Sequence, residues 1–477
     1  MPQKNRYDSL VIGSGPNGLA AAITLARRGQ SVCVIEAQDS PGGCVRSGEL
    51  GMPGFVHDLY SAVFPLALSS PFFRSVPLEI YDHEWVVPPA ALAHPFDDGD
   101  AAIIYGSVQE TARGLGPDEK AYMHCMSPLV ENLEHLLEDI LQPLHIPRHP
   151  CRYTLFGLAG MIPAAAFSKL FFRTSRVRAL FAGLAGHSIL PMEHVLTSAF
   201  ALAMGASAHK TRWPIAKGGA GSITRALTAH LRDLGGEIVL SSPIISLDGL
   251  PRANNIFFDL TPQQVVSLCR DRLTPGYENR LKRYRYGPGA FKIDWALHDP
   301  IPWTAQACSS AATVHVGGSF EEIAASERTV WRSRHPEQPF VICVQPSLFD
   351  ESRAPVGRHT AWAYCHVPNG STRDMTERIE QQIERFAPEF KDTIISRHTM
   401  SPHELQRSND NLVGGDIAGG ANTFSQFLFR PTISIDPYAM PAPGMYLCSA
   451  STPPGGGVHG MCGYNAAQSA LKRHGGN

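Results

Sequence analysis

Short apolar segments alternate with longer amphipathic ones at the start of the chain, which is the pattern of strands and helices in succession. The run Ser9–Ile12 predicts a buried strand, and Leu19–Arg28 predicts a helix that Gly29 ends. A second apolar run, Ser31–Ile35, predicts the next strand. A strand, a crossing helix and another strand in this order indicate a parallel α/β sheet.

Comparable signals return through the rest of the chain. Leucines at helical spacing predict helices within Asp118–Leu141, with Pro128 beginning a second helix there. Ser222 is predicted to cap a helix that ends at Gly235. The same patterns predict strands at Glu237–Leu240, Pro243–Leu247, Ile256–Leu260, Ala290–Leu297, Thr313–Val316, Phe340–Gln345, His359–His366 and Met445–Ser449, a helix at Thr372–Phe386 and a last helix from Tyr464.

The most apolar parts of the sequence are Leu155–Phe172 and Ala179–Ala206. Residues such as Gly160, Pro163 and Pro191 interrupt both parts. They therefore predict broken helices rather than a membrane span, which needs about 18 or more consecutive apolar residues. Two interpretations stay open: buried core helices, or the lining of a lipophilic tunnel or a surface that contacts a membrane peripherally.

The loop between the first strand and the first helix carries the residues that point to a ligand. Gly13, Gly15 and Gly18 have the spacing G-x-G-x-x-G, which allows a tight turn, close approach of backbone to a pyrophosphate and close helix–strand packing. The phosphates would lie at a helix N-terminus, where unpaired N–H groups and the helix dipole favour negative charge. Glu36 ends the second strand, where a carboxylate that binds a ribose hydroxyl is expected.

The bulk properties narrow the class of protein. The 477 residues supply enough chain for two or three domains, and a formal net charge of -2 gives no electrostatic argument for nucleic acid. The 10 cysteines form no C-x-x-C pair, so we predict no zinc or other metal site and no disulfide framework, and expect reduced thiols in a cytoplasmic protein. No signal peptide is predicted at the N-terminus. The oligomeric state stays open.

A second glycine pair follows the acidic residue. After Glu36 the chain continues to Asp39-Ser40-Pro41-Gly42-Gly43, which resembles the extended FAD fingerprint of glutathione-reductase-like flavoproteins and is unusual in domains that bind only NAD. This resemblance implies FAD as the cofactor. No second dinucleotide fingerprint occurs in the sequence, so we expect no domain for tightly bound NADPH.

Both ends of the chain match one family pattern. The start, YDSLVIGSGPNGLAAA with VIEAQDSPGG, and the end, GMYLCSASTPPGGGVHGMCGYNAA, resemble the phytoene-desaturase-like flavoproteins, a branch of the amine-oxidase-like FAD superfamily. The family includes carotenoid desaturases, carotenoid isomerases, retinol saturase and pyridine-nucleotide-disulfide-oxidoreductase-domain relatives. The segment Trp213–Leu247 matches as well. Only Ser246–Asn255 stands where many relatives carry a small β-meander, so the outer edge of the FAD site is expected to differ.

The resemblance implies an α/β fold in two parts. The first is a discontinuous Rossmann-like FAD-binding domain, and the second is a substrate domain with a mixed sheet and helices. The implied boundaries are residues 1–75, 213–262 and 437–477 for the FAD-binding domain and residues 76–212 and 263–436 for the substrate domain, with an apolar helical part at 153–207. A segmented domain explains why strand and helix signals of the dinucleotide-binding type return late in the chain.

The resemblance also implies cofactor contacts, residue by residue. Those for the adenosine half are Gly13, Ser14, Gly15, Asn17 and Gly18 at the pyrophosphate, Glu36 with its neighbour Ala37 at the ribose, and the backbone of Ile244 at the adenine. Those for the flavin half are Gly42 and Gly43 at the ribityl chain, Ala450 and Ser451 at the ribitol and phosphates, and Val458, His459, Gly460 and Met461 under the ring. A helix N-terminus beneath the ring would stabilise the negative charge of reduced flavin.

Two residues are candidates for catalysis. The stretch GAFKIDWALHDPIPW resembles the strand of amine-oxidase-like flavoproteins on which a lysine holds a water at flavin N5, with Lys292 in the place of that lysine. The alternative is a solvated lysine on a half-exposed strand. His459 is a candidate for proton transfer because histidine titrates near neutrality, and its alternative is a structural role in bonding backbone.

The predicted function is that of an FAD-dependent oxidoreductase. It would remove hydride from a largely apolar small molecule, of polyene or isoprenoid type, and oxygen or a quinone would reoxidise the flavin. Three alternatives stay open: an amine oxidase, a redox-neutral isomerase that uses reduced flavin, and a flavin-binding protein without turnover.

Overall fold

The computed structural model describes residues 2–474, whose strands form two large sheets and two small two-stranded ones. In chain order the strands are β1 (Arg6–Ile12), β2 (Val32–Ile35), β3 (Ser47–Glu49), β4 (Val56–Asp58), β5 (Trp85–Val86), β6 (Ala90–Pro95), β7 (Ala101–Tyr105), β8 (Ile215–Ala216), β9 (Glu237–Val239), β10 (Arg252–Phe258), β11 (Gly289–Leu297), β12 (Ala311–Val316), β13 (Val341–Val344), β14 (His359–Val367), β15 (Ile394–Met400) and β16 (Met445–Leu447).

The α-helices are distributed along the whole described chain. They are α1 (Pro16–Ala26), α2 (Pro71–Arg74), α3 (Val108–Arg113), α4 (Glu119–Glu131), α5 (Leu133–Ile140), α6 (Pro150–Met161), α7 (Ala164–Phe171), α8 (Ser175–Gly186), α9 (Thr197–Thr211), α10 (Gly221–Asp233), α11 (Pro262–Leu268), α12 (Pro275–Lys282), α13 (Phe320–Trp331), α14 (Thr376–Glu384), α15 (Pro402–Ser408), α16 (Phe424–Phe429) and α17 (Met461–His474).

The first large sheet is parallel throughout, with the strand order β16-β10-β1-β2-β9. Its strands come from three separate parts of the chain and bring the carboxyl ends of β1 and β10 side by side, with Ile12 opposite Phe258. Parallel sheets are covered on both faces, which explains why all four residues of β2 are buried. The predicted parallel α/β sheet is confirmed, whereas the domain boundaries inferred from the resemblance stay a prediction.

Helix α1 is buried from Asn17 to Ala26 because the last helix of the chain, α17, packs against it. Small residues make this close approach feasible. Ala20, Ala21 and Ala22 are fully buried, and a Cβ on Gly463 of α17 would lie only 1.7 Å from the carbonyl oxygen of Asn17. The C-terminal helix therefore holds the start of α1, and the glycine loop before it, in place.

The second large sheet is mixed, with the order β15-β11-β14-β13-β12-β6-β7, in which only the β12–β6 pair is parallel. Strand β11 is buried along all of its residues. It lies between β14 and β15, and Ile293 and Trp295 join one core with Ile379 and Ile383 of α14. A charged residue on β11 is consequently far from bulk water.

The apolar region predicted as broken helices consists of α6 to α9, with breaks near the prolines and glycines that the sequence indicated. Helices α8 and α9 are largely buried, whereas Leu155 of α6 is 70% exposed. No single helix in residues 2–474 is long and apolar enough to cross a membrane. By length and composition alone, the bent pair Tyr153–Met161 and Ala164–Phe171, with 104° between its helices, would pass that test.

Several predicted elements are wrong in extent or kind. Pro243–Leu247 is not a strand, because Ser241 adopts a φ of 50° that turns the chain out of the sheet, and Ile245 is 92% exposed. Pro128 does not begin a helix but lies inside α4, and the chain bends at Asn132, whose side chain donates to the Pro128 carbonyl. The predicted helix Thr372–Phe386 is confined to α14, and the last helix begins at Met461 rather than Tyr464.

The N-cap predicted at Ser222 is also wrong. Helix α10 begins at Gly221, and the Ser222 hydroxyl is instead 3.0 Å from Nδ1 of His83. The free N–H groups at this helix end are satisfied by distant side chains: Ala220 N donates to Asp58 Oδ1 at 2.6 Å, and Gly221 N donates to Ser47 Oγ at 2.9 Å. Capping from distant segments leaves no signal at the helix itself.

Replacing Gly463 with alanine should weaken the contact between α1 and α17, because the added Cβ does not fit beside the Asn17 carbonyl. We expect the free energy of unfolding, measured by urea denaturation, to fall by about 1–3 kcal/mol, the usual cost of overpacking. Gly157→Ala in α6 is the control, since nothing lies within 4 Å of its added Cβ, and it should be neutral or stabilising by up to about 1 kcal/mol. Equal losses in both variants would contradict the packing argument.

Candidate active site

The phosphate loop, Gly13–Gly18, joins β1 to α1 and is built on close contacts. A Cβ on Gly18 would lie 2.2 Å from the Gly13 carbonyl oxygen, and a Cβ on Gly15 would lie 2.5 Å from Oδ2 of Asp259. Gly15 is the N-cap of α1 and Pro16 follows it, so no side chain of the loop caps the helix. Instead, the side chain of Asp259, which follows β10 directly, caps the helix from outside by accepting the Gly18 N–H at 2.9 Å.

Glu36 lies at the carboxyl end of β2 and is buried. Its Oε2 accepts the Ser14 N–H at 2.9 Å and the Ser14 hydroxyl at 2.6 Å, and its Oε1 accepts the Gln38 N–H at 2.9 Å. Ala37 beside it is exposed, and Ile244 lies half-buried a few residues after Ser242, which donates to the Glu36 carbonyl. The carboxylate thus orders the phosphate loop, and its contact with a ribose stays a prediction.

The second glycine pair packs on the phosphate loop. Gly42 has a φ of 120° and Gly43 a φ of 54°, conformations that favour glycine, and the Gly42 N–H donates to the Ser14 carbonyl at 3.1 Å. A Cβ on Gly43 would lie 2.9 Å from Cα of Gly15. The two loops therefore pack together through backbone atoms that no side chain covers. This arrangement suits a ligand that approaches the backbone closely.

The C-terminal segment completes this edge of the sheet. Ala450 and Ser451 follow β16, and the Ser451 hydroxyl donates to the Gly419 carbonyl at 3.1 Å. Val458 and His459 lie just before the last helix, which begins with Met461 directly after Gly460. Four of the predicted residues of this segment, Ala450, Ser451, Val458 and His459, line the same cavity as Gly15, Asn17 and Gly43.

His459 is fully buried and acts on the backbone. Its Nδ1 accepts the Met461 N–H at 3.0 Å, and its carbonyl accepts the Ser70 hydroxyl at 2.5 Å. Burial lowers the pKa of His459 to about 4, so the ring is neutral at pH 7 and its proton is on Nε2. Nε2 forms no hydrogen bond within residues 2–474, although the backbone of Gly455 and Gly456 acts to raise the pKa against the effect of burial. This geometry favours the structural alternative, and proton transfer by His459 stays an untested prediction.

Lys292 lies in the middle of β11 and is only 4% exposed, so the alternative of a solvated lysine on a half-exposed strand is wrong. Its ammonium forms a buried ion pair with Asp294, which lies two residues further along β11 on the same face of the sheet. It also lies 5.6 Å from the centre of the Trp362 ring, within the range of a cation–π contact. Tyr364 stacks beside Trp362 at 5.7 Å between ring centres.

His57 lies behind this pair. Its Nδ1 is 3.6 Å from Oδ1 of Asp294, and that oxygen accepts no hydrogen bond from the part of the chain that the structure describes. Burial, together with the positive charges of Lys292 and Arg353, lowers the pKa of His57 to about 3, so the ring is neutral at pH 7. Burial also raises the pKa of Asp294, and the Lys292 ammonium opposes that change. Lys292 is thus the positive charge nearest the carboxylate.

A cavity of about 760 Å³ connects these parts. Its walls include Gly15, Asn17 and Gly43 from the loops, Ala450, Ser451, Val458 and His459 from the C-terminal segment, and Lys292, Trp362 and Tyr364 from the mixed sheet. Phe156 and Met161 of α6 and Phe200 and Met204 of α9 form an apolar wall. The remaining predicted residues, Gly13, Ser14, Gly18, Glu36, Ala37, Gly42, Ile244, Gly460 and Met461, lie outside this lining.

The residues present fit a dinucleotide. Gly15 and Gly43 leave their backbone accessible in the cavity wall. Asn17 also lines the cavity, and its buried side-chain oxygen has no hydrogen-bond partner among residues 2–474. Rotating that amide by half a turn would offer its N–H₂ group to a phosphate. Residues 2–474 contain no group of three or more His, Cys, Asp or Glu residues that could hold a metal ion.

Comparisons with known proteins show which oxidoreductases the chain is similar to. Residues 11–74 match the NAD(P)-binding Rossmann-like domain. The chain is 25% identical to pyridine nucleotide-disulfide oxidoreductase domain-containing protein 2 of Rattus norvegicus, over 97% of this chain and 93% of that protein. It is 24% identical to phytoene dehydrogenase of Streptomyces griseus, over 76% of this chain and 73% of that protein. The chain is a distant relative of these oxidoreductases.

Solved structures support the fold along the whole chain. An oxidoreductase from Methanosarcina mazei matches with a TM-score of 0.65 at 14% identity, covering 97% of this chain and 99% of that one. Putrescine oxidase with putrescine bound matches with a TM-score of 0.62 at 14% identity, covering 98% and 99%. The predicted fold, a Rossmann-like sheet joined to a mixed-sheet part as in amine oxidases, is confirmed.

Four residues of the site were not predicted from the sequence: Asp259, Asp294, Trp362 and Tyr364. Asp259 fell inside the predicted strand Ile256–Leu260, although a carboxylate at the carboxyl end of a parallel strand is a usable signal. Trp362 and Tyr364 fell in a predicted strand, where alternate residues share a face. Nothing local indicated that their face would meet Lys292.

The ion pair between Lys292 and Asp294 can be tested by a double-mutant cycle. Asp294→Asn leaves a buried ammonium without its carboxylate, and we expect a loss of about 3–5 kcal/mol in the free energy of unfolding. The double variant Lys292→Met with Asp294→Asn removes both charges and should recover most of that loss. Urea denaturation of the wild type, both single variants and the double variant supplies the comparison. A double variant no more stable than Asp294→Asn would show that the two side chains are not coupled.

Proposed function

We propose that the protein is an FAD-dependent oxidoreductase acting on a largely apolar small molecule. The observation that carries this proposal is one continuous cavity, which runs from the phosphate loop past the start of α17 to the apolar wall of α6 and α9. A cofactor held at the loops and a substrate held by the helices would meet in one cavity, beside Lys292.

The arrangement of the loops supports FAD. Gly13–Gly18 and Glu36 would hold the adenosine half and the pyrophosphate, and Gly43, Ala450, Ser451 and the start of α17 would hold the flavin half. When bound, FAD would supply the two-electron acceptor for a hydride from a C–H bond. The N-terminus of α17 adds a positive dipole end at the edge of the cavity.

The composition of the cavity wall supports an apolar substrate. Phe156, Met161, Phe200 and Met204 offer no charge or strong hydrogen-bond donor to a polar ligand. Leu144, Met161 and Phe424 both line the cavity and are exposed, so the opening of the cavity is apolar. We propose that apolar substrate enters here, which is compatible with peripheral contact with a membrane. The name phytoene dehydrogenase among the similar proteins agrees with this substrate class.

The side chains around the cavity would exclude water from the reacting bond and hold the ammonium charge of Lys292 in a fixed position. The apolar wall keeps the reacting bond dry, and a dry site strengthens the field of every charge within it. Lys292 presents a single ammonium at the mixed-sheet wall, held in place by Asp294 and the face of Trp362. His459 stays neutral and fixes the first turn of α17. Oxygen or a quinone is the proposed final acceptor.

The position of Lys292 favours one alternative over the others. A buried ammonium on this strand, facing the cavity, is the arrangement that the resemblance to amine oxidases implies for a water at N5. Amine oxidation is therefore the second candidate, and the putrescine oxidase fold agrees with it. The largely apolar cavity argues against a small dication such as putrescine as the substrate.

An anaerobic titration of the flavin band tests the proposal. A soluble isoprenoid or polyene substrate should bleach the flavin at least about tenfold faster than putrescine, because the apolar wall stabilises only the former. Lys292→Met should retain FAD, and a reoxidation by oxygen slowed by about tenfold or more would assign Lys292 to the chemistry at N5. Bleaching by putrescine alone would overturn the substrate class.

A further inference from the structure

The carboxyl of Asp259 occupies the N-terminus of α1, where the phosphate loop offers its N–H groups. Its Oδ2 accepts the Gly18 N–H at 2.9 Å, and a Cβ on Gly15 would lie 2.5 Å from the same oxygen. The residue is 5% exposed and contributes to the cavity wall beside Gly15 and Asn17. A buried carboxyl group thus lies where the pyrophosphate is predicted to bind, at the phosphate loop Gly13–Gly18 and the start of α1. We call this binding site the cradle.

Within residues 2–474, no cation is among the groups that act on the carboxyl of Asp259. The ionisable groups that face it are Glu36 at the end of β2, Cys44 after the second glycine pair, Cys448 after β16 and Cys462 of α17. Arg46 is the nearest basic residue of that loop, and it is bonded to the Gly43 carbonyl and the Tyr60 hydroxyl. The side chain of Asn411 donates to the backbone carbonyl of Asp259, not to its carboxyl group.

Because of this environment, the Asp259 carboxyl is already partly protonated near pH 7 in the protein without FAD. Burial and the charge of Glu36 raise the pKa of Asp259, the N–H groups of Gly18 and Gly15 lower it, and the net result is a pKa of about 7. Lys292 shows the contrast, because its buried charge has a carboxylate partner two residues away. A pyrophosphate would bring two more negative charges to a carboxyl that has no such partner.

We propose that Asp259 is a further FAD-binding residue, which takes up a proton from solvent as FAD binds and faces the pyrophosphate as a neutral hydrogen-bond donor. This inference rests on the proposed function, since it assumes that FAD is the ligand of the cradle. The alternative is that Asp259 serves only as the N-cap of α1 and stays ionised throughout.

The sign of the pH dependence follows from the proton uptake. A bound pyrophosphate raises the pKa of Asp259 above its value in the free protein, so FAD binds best when the carboxyl is already protonated. Affinity is then constant below the free-protein pKa of about 7 and falls as pH rises above it. We expect the dissociation constant of FAD to increase about tenfold between pH 6 and pH 8.

Calorimetric titration of FAD into the full-length, flavin-free protein measures the proton directly. At pH 8, in two buffers of different ionisation enthalpy, the wild type should take up close to one proton per FAD bound. Asp259→Asn keeps a side chain that can both accept and donate, and it should take up none, show no change in affinity between pH 6 and 8, and bind FAD about tenfold more tightly than the wild type at pH 8. Asp248→Asn, an exposed carboxyl in the same region, should behave as the wild type.

The outcomes separate this inference from the proposed cofactor. A wild type that binds no FAD at any pH would overturn the proposed function. A wild type that binds FAD without proton uptake, or an Asp259→Asn variant that takes up the same proton as the wild type, would overturn the role of Asp259 alone. The wild-type measurement stands by itself if Asp259→Asn fails to fold.

Discussion

The N-terminus of a buried helix is the constraint on which the rest of the molecule depends. Helix α1 is enclosed from Asn17 onward, because α17 packs so closely that Gly463 has no room for a side chain. Its first N–H groups have no partner within the helix, so they need partners in the protein, in a ligand or in water that enters the cavity. Asp259 supplies one partner, and the predicted pyrophosphate would supply another.

The two sheets contribute different parts of the site. The parallel sheet brings β1, β10 and β16 together at one edge, where their carboxyl ends form the dinucleotide cradle. The mixed sheet presents Lys292, Trp362 and Tyr364 from the opposite side, and α6 and α9 enclose the space between. The parallel sheet places the buried carboxyl of Asp259 at this space, and the mixed sheet places the buried ammonium of Lys292 there. Lys292 has a carboxylate partner, whereas Asp259 has only N–H groups, which is why proton uptake is assigned to the latter.

Much of the fold could be predicted because its signals are local. The glycine spacing at Gly13–Gly18, the acid at Glu36 and the short apolar strands each reflect geometry within a few residues, and the parallel sheet follows from them. The wrong or missing predictions concern features that depend on contacts between residues far apart in the sequence. Ser222 does not cap α10, because Ser47 and Asp58 do so. The burial of Lys292 depends on β14 and β15, which flank its strand, and the position of Asp259 depends on the pairing of β10 with β1.

The central claim, that the cradle binds FAD, is tested most directly by identifying the cofactor of the purified protein. The account predicts a yellow protein that, after denaturation, releases FAD close to one equivalent per chain, identified by chromatography and mass spectrometry. A protein that releases FMN or a nicotinamide dinucleotide, or one that stays colourless and does not take up added FAD, would contradict it.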